Sequence, residues 1–426
     1  MAHANPVDLE QFTPVLKNVY LPFRKKAFPM LTVLLAQVRK GGPETVKYSG
    51  NDLFFDVKFG RRGGFSASAL GYFPQSKIAR EKQGRLGITR LYAQVAVDGL
   101  ALKTAQGDKA TYISVAKKVT EDIMDQWQLE QNRIAYGDGR AIRAIIQAVT
   151  DTDTIIVHYP YGITNAGPGN LHLEDGDDIA VIANDTLASR GKARISSHTL
   201  SGDLCTLELS TTIANMAATD FIVTAVPTAV HATDSSFGAE PYGTDAICDP
   251  AGTFATFEGL ADDRWVAYNT TATAVDEMTL TSFLNVIRAR GGVDWRQNPK
   301  AMLLITSTGI WQTYGESLLG LRRFSAPEMT LNGGFKAVQV ANCALVDDPW
   351  APRGRITALH TPDLVNIDLM DFALLGYEDS PKWTMSATQD VFTATYGYYG
   401  NFGCLMRNTH GTITGITDTV NYSPVF

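Results

Sequence analysis

The chain has 426 residues, 45% of them hydrophobic and 19% charged, which is enough apolar material for a large core or two to three domains and too much for a disordered chain. Its longest apolar run, Ala27 to Val38, is broken by Pro29, Thr32 and Gln37 and is too short to span a bilayer; the N-terminal MAHANPVDLEQF lacks the basic-then-apolar pattern of a secretory signal. The net charge of −7 hides an asymmetry: residues 1–150 hold 22 Lys+Arg against 13 Asp+Glu, and the remaining residues hold 15 against 31. A basic segment joined to an acidic one suits a chain that binds copies of itself, or shows two faces to different partners.

The first 45 residues carry Pro6, Pro14, Pro22, Pro29 and Pro43 and read as an extended arm with one short helix at Leu31 to Arg39. Two alternating runs follow. Phe55, Val57 and Phe59 share one face of Val46 to Gly60, and Leu91, Ala93, Val95 and Val97 share one face of Leu86 to Gly99. Between them, Arg61 to Arg85 is rich in glycine, serine and basic residues. The pattern predicts an outstretched hairpin with a polar tip, unable to bury its own apolar face. Asp108 then caps a predicted helix to about Tyr136, with Ile113, Ala116, Val119, Ile123 and Trp127 on one side and a stop at Gly137-Asp138-Gly139. Its length is roughly 40 Å. A second helix is expected at Arg140 to Val149.

Residues 163–226 change character. Short strand candidates (Leu171 to Leu173, Ile179 to Ile182, Ala193 to Ile195, Leu204 to Leu209, Phe221 to Val226) alternate with turns and predict a small inserted β-module. Residues 228–270 are rich in loops. A helix is expected at Asp276 to Arg290, stopped by Gly291-Gly292, then a buried strand at Ala301 to Thr306 and a helix from Ser307 to about Leu319. Strands are predicted at Phe335 to Val340, Arg355 to Leu359, Trp383 to Thr395, Gly403 to Arg407 and Thr412 to Ile416.

The sequence carries no phosphate-binding glycine loop, no HExxH and no G-x-S-x-G. Its seven histidines are isolated from one another, and Cys205, Cys248, Cys343 and Cys404 lack metal or redox spacing and read as free buried thiols. Glu174-Asp175-Gly176-Asp177-Asp178 has the composition of a calcium loop without its ligand spacing, and reads as a hairpin turn. Basic and aromatic residues mix between Lys58 and Arg85, but on a predicted arm rather than a sheet platform, which favours protein–protein contact over nucleic-acid binding. No catalytic, cofactor-binding or metal-binding residues are assigned, and no cofactor is expected.

The order of parts resembles the major capsid proteins of tailed bacteriophages, the Hong Kong ninety-seven type. The resemblance rests on the Asn132-to-Gly139 exit from the long helix, the helix from Asp276, and Asn298-Pro299-Lys300 through Ser307 to Tyr314. Gly333-Gly334-Phe335, Asp347-Asp348-Pro349 and Thr393 to Gly415 extend it. It covers nearly the whole chain in order and implies a mixed α+β fold. The implied parts are an N-terminal arm (1–45), an E-loop hairpin (46–104), a P-domain with spine helix (105–162) continuing at 227–297 and 361–426, and an A-domain (298–360). The 163–226 insert is extra to that plan.

The resemblance further implies a shell subunit, not an enzyme, that forms hexamers and pentamers around double-stranded DNA in the virion after assembly in a bacterial cytoplasm. Implied partners are itself, a separate scaffolding protein, a portal and a decoration protein, with no membrane. A cellular compartment shell of the same fold and an enzyme with an unrecognised site are the alternatives. The hairpin tip holds Arg61, Arg62, Lys77, Arg80, Lys82 and Arg85 against Glu81 alone. Such dense like charge calls for an acidic receiver on a neighbouring subunit; Asp363, Asp368, Asp371, Glu378 and Asp379 are the candidates.

Overall fold

In the computed structural model of the chain, the residues described are 33–34, 52–58, 67, 73, 75, 81–100, 109–161, 169–201, 204–226, 235–249, 265–319, 328–330, 336–340, 342–375, 383–385 and 389–418. Strand β1 (Asp52–Lys58) pairs antiparallel with β2 (Glu81–Gly87), and β3 (Thr89–Asp98) follows at once. A hairpin is present, but its second strand is Glu81–Gly87, drawn almost wholly from the segment expected to be the polar tip, and not the expected Leu86 to Gly99. After Gly87 the chain leaves the hairpin, and β3 pairs instead with a strand near the C-terminus. Helix α1 (Lys109–Tyr136) has the expected bounds, although Asp108 lies outside the described residues. Its Ile123 is buried and its Trp127 stacks on Phe372 with ring centroids 4.5 Å apart.

The helix expected at Arg140 to Val149 is instead strand β4 (Ala144–Val149). With β5 (Thr154–His158), β6 (Asp178–Ile182), β7 (Ser189–Ser201), β8 (Leu204–Leu209) and β9 (Phe221–Thr224) it closes a barrel in the order β4-β5-β8-β7-β6-β9. Leu171 and His172, expected in a strand, lie in a single 3-10 turn, Gly169–His172. The β-module thus exists, but it begins at 144 rather than 163 and takes two strands from ahead of that point. Inward-facing Ile146, Ile155, Val157, Ile179, Val181 and Leu207 fill it, each buried, as alternation on a closed sheet requires.

Downstream lie β10 (Tyr268–Thr271), α2 (Glu277–Gly291), β11 (Met302–Thr306), α3 (Thr308–Leu319), β12 (Glu328–Thr330), β13 (Lys336–Val340), β14 (Cys343–Asp347) and β15 (Arg355–His360). The last strands are β16 (Leu364–Leu374), β17 (Thr384–Met385), β18 (Val391–Cys404) and β19 (Gly411–Thr414). Helix α2 has the predicted ends: the Asp276 carboxylate accepts from Thr279 N–H at 2.6 Å, and Gly292 takes the left-handed cap at φ 70°. Strand β11 is buried at every residue because it is central in a seven-stranded sheet of order β10-β19-β15-β11-β14-β13-β12. A second sheet has β18 at its centre, between β16 and β17 on one side and β3 on the other. The strands predicted at Trp383 to Thr395 and Gly403 to Arg407 are here β17 and one long strand, β18, which ends at Cys404.

One buried carboxylate ties the N-terminal region to this body. Val33 and Leu34 are helical and buried, and their backbone amides donate to Asp348. Asp348 also accepts from the Tyr136 hydroxyl at 2.6 Å and from Trp350 N–H at 2.9 Å. Burial pushes its carboxyl up to about 6, against the pull of those four donors. Its folded-state pKa is thus raised above the unfolded one, so folding takes up a proton between about pH 6 and pH 4. Relative to an Asp348→Asn variant, the wild-type subunit should gain roughly 2–3 kcal/mol of unfolding free energy as the pH falls from 7 to 4. Denaturant titrations of the two proteins at both pH values measure this, and a pH-independent difference would contradict it.

Candidate assembly interface

The last turn of α1 holds a buried charge cluster. Arg133 is 2% exposed and pairs with Glu130 at 2.9 Å and with Glu240. Arg143, just ahead of β4, pairs with Glu130 at 2.8 Å and donates to Thr224 Oγ1 at 2.6 Å and to the His172 carbonyl at 3.0 Å. Burial alone would push the Glu130 carboxyl up, but Arg143 and Arg133 outweigh it and hold it down to about 2. Burial, reinforced by Arg133, keeps the His172 imidazole neutral. These groups join the helix, both ends of the barrel chain and the segment after it. They fix where the barrel sits.

The other buried charges are likewise spent on holding segments together. Arg355 pairs with Asp245. Arg407 donates to the carbonyls of Ile247 and Ala246 at 2.9 and 3.3 Å and to that of Asp249, closing the end of the helical turn Thr244–Cys248. Ser307 donates to Asp418 at 2.6 Å. Among the described residues, no three His, Cys, Asp or Glu side chains converge as a metal site would require. The four cysteines are buried, and none is joined to another in a disulfide.

The surface carries the features that bear on association. The inner face of the hairpin is not free: Leu53, Phe55 and Val57 pack on the main core, and Phe55 lies 6.4 Å from the Trp265 ring. This corrects the expectation that the hairpin cannot bury its own apolar face. The core it meets is built from residues such as Trp265 and Leu303, far downstream in sequence. What stays exposed is the opposite face, with Phe54 at 55%, and Phe73 at 97%.

Of the expected tip cations, Lys82 is exposed, and Arg85 forms an ion pair at 2.5 Å with Asp52 of its own hairpin. Arg61, Arg62, Lys77 and Arg80 lie outside the described residues. Of the expected receivers, Asp363 is engaged within the subunit by the His360 ring at 2.6 Å and the Thr409 hydroxyl at 2.7 Å. Burial opposes its ionisation, yet these partners hold its carboxyl below the usual range. Asp371 is exposed on β16; the Asp368 side chain, Glu378 and Asp379 lie outside the described residues.

A further acidic surface escaped the sequence reading because the barrel's bounds were misplaced. Residues 144–224 hold three Lys+Arg and ten Asp+Glu, so this segment's net charge of −7 equals that of the whole chain. Glu174, Asp175, Asp178 and Asp185 are exposed on it. Burial and then the Asp177 charge push the Glu174 carboxyl up. The stability of this region rests on the buried cluster rather than on the surface charge. Arg133→Met should destabilise the subunit by about 3–5 kcal/mol, because Glu130 and Glu240 lose their common partner in a buried site. Urea unfolding checks this, and a loss under about 1 kcal/mol would refute it.

No family model matches the chain, and no curated protein is similar to it. Solved structures are. A chain of the cyanophage A-1(L) capsid asymmetric unit is 11% identical, with a TM-score of 0.57 over 96% of this chain and 100% of that one. The capsid of Myoviridae phage XM1 is 8% identical, with a TM-score of 0.46 over 95% of this chain and 98% of that one. The first of these carries the comparison, and at such low identity it speaks to fold alone. The sheets, the long helix and their order along the chain therefore make up a mixed α+β fold shared with that chain of the cyanophage capsid.

Proposed function

We propose that this chain is the shell subunit of a tailed-phage head, a structural protein and not an enzyme. Copies associate into hexamers and pentamers of an icosahedral capsid that encloses double-stranded DNA. The observation that carries this reading is the shared fold with a capsid subunit over 96% of this chain and all of the other. The buried charges support it, because the ion pairs around Arg133 and Arg355 join segments of the fold to one another. In this reading residues 1–45 are the arm, the hairpin is the E-loop, α1 is the spine helix and 298–360 form the A-domain. The barrel is an added module.

The charge distribution suggests a sidedness. Phosphate repels a surface of net −7, so the barrel belongs on the outer face, available to a decoration protein, and the basic N-terminal half faces the genome. A separate scaffolding protein and a portal are the further partners of such a subunit, which would be assembled in the host cytoplasm. The hairpin tip, with Arg61, Arg62, Lys77, Arg80 and Lys82, would lie over a neighbour and meet its carboxylates. Asp368, Asp371, Glu378 and Asp379 are the remaining receivers, since Asp363 is already engaged.

Electron microscopy of the protein co-expressed with its scaffold should show closed shells, and particle contents should be DNA rather than an enzyme cargo. A monodisperse monomer at high concentration beside that scaffold would overturn the reading. Reversal of Arg80 and Lys82 to Glu should block assembly and leave the folded subunit intact, since neither replaces Arg85, which is paired with Asp52 inside its own hairpin. Each exposed pair contributes only about 0.2–1 kcal/mol, but every subunit repeats it. Wild-type shells should loosen as salt rises past the ionic strength where screening falls to about 8 Å. Unchanged assembly and salt response in the reversed variant would show the tip charge to be merely solvated.

A further inference from the structure

The chain passes between the two sheets twice at one place. The β15–β19 ladder of the seven-stranded sheet ends at Ala358 and Gly411, and the β16–β18 ladder of the second sheet begins at Leu364 and Cys404. Residues 361–363 and 405–410 therefore cross from sheet to sheet side by side, as an antiparallel ribbon with its regular pairing interrupted.

The two linkers are clasped to each other. Leu405 N–H donates to the Asp363 carbonyl at 2.9 Å, the Thr409 hydroxyl to the Asp363 carboxylate at 2.7 Å, and His360 N–H to His410 Nδ1 at 3.1 Å. The His360 ring adds a bond to the same carboxylate oxygen at 2.6 Å. Two of the bonds that cross between linkers thus end on a titratable acceptor.

His410 is fully buried, and its bond decides its tautomer. Nδ1 accepts, so the hydrogen of the neutral ring is on Nε2. A second proton has only Nδ1 to occupy, where it would meet the His360 N–H. Donor would face donor and the bond would be lost. A proton on Asp363 removes the charge that strengthens its bonds to His360 and Thr409. The other groups facing the clasp do not cancel this. His360 and Arg407 disfavour a charge on His410, Asp363 favours one, and burial keeps the Cys404 thiol beside Asp363 neutral.

We propose that this crossing is an acid-operated clasp: proton uptake by His410 and Asp363 parts the two linkers, and the joint between the sheets loosens while each sheet keeps its own ladder. The inference concerns the single subunit and does not rest on its role in a shell. Burial, against the pull of Asp363, holds the His410 imidazole down at about 3, and the Asp363 carboxyl also lies below its usual range. Both groups bind protons more readily in the open form, so opening is favoured as the pH falls. Against an ordinary imidazole value of about 6.5, His410 raises the ratio of open to closed clasp on the order of a hundredfold between pH 7 and pH 4.

Residue-resolved amide hydrogen exchange on the full-length subunit at pH 7 and pH 4, corrected for the intrinsic effect of pH on exchange, tests it. The Leu405 and His360 amides should lose protection on the order of a hundredfold at pH 4, while the ladder amides of Leu304 and Ala394 change by less than about threefold. His410→Asn keeps an acceptor for His360 N–H but does not titrate, and should reduce the pH response of the Leu405 amide to a few-fold. Thr409→Val removes a donor to Asp363 without removing a titrating group, and should speed exchange of the Leu405 amide already at pH 7. Joint amides that keep their protection at pH 4, or lose it only together with both ladders, would overturn the proposal in the wild type alone. A full pH response in His410→Asn, or unchanged exchange in Thr409→Val at pH 7, would overturn it as well.

Discussion

Arg133 sits where three parts of the chain meet: the end of α1, the barrel and the segment that returns from it. A guanidinium this deeply buried is tolerable only with its donors met by carboxylates, and Glu130 and Glu240 provide them. Arg143 adds the barrel's first strand to the same cluster through Glu130 and Thr224. The orientation of an 81-residue module, 144–224, is thereby set by charges at its root. Fixed geometry at that point matters for any protein whose copies must meet in a regular lattice, because a small angular error at the root becomes a large displacement at the far end.

The two sheets divide the work of the rest. The seven-stranded sheet is covered on both faces and has an interior of Leu304, Leu345, Ile356 and Ile413, all buried. The β18 sheet packs one face on α1 through Tyr396, Tyr398 and Phe372. Its other face leaves Tyr92 56% exposed, in edge-to-face contact with Tyr399 at 6.0 Å.

Charge is distributed by module rather than evenly. The barrel holds the whole of the net negative charge, and the remaining 345 residues balance to zero. The buried cluster does not share in this pattern, since its two acids, Glu130 and Glu240, are matched by two bases, Arg133 and Arg143, and leave the outer field to the exposed residues. The long-range electrostatic field of the chain therefore depends on where the barrel points.

Local patterns determined much of this by themselves. The bounds of α1 and α2 were legible because an apolar face at helical spacing ended at glycines, and the Asp276 cap was legible from residue type alone. Strand β11 was legible as an unbroken apolar run, and the ordered set of motifs pointed to the fold. Tertiary structure decided the rest. Ala144–Val149 is a strand because β5 and β9 flank it in the closed barrel, and β9 begins more than seventy residues away. Thr89–Asp98 leaves the hairpin for β18, some three hundred residues downstream. Asp363 looks like any acidic surface residue until His360 and Thr409 close on it. In each case the deciding partner is distant in sequence, and strand pairing and ion pairing across such distances leave no periodic trace in the segment itself.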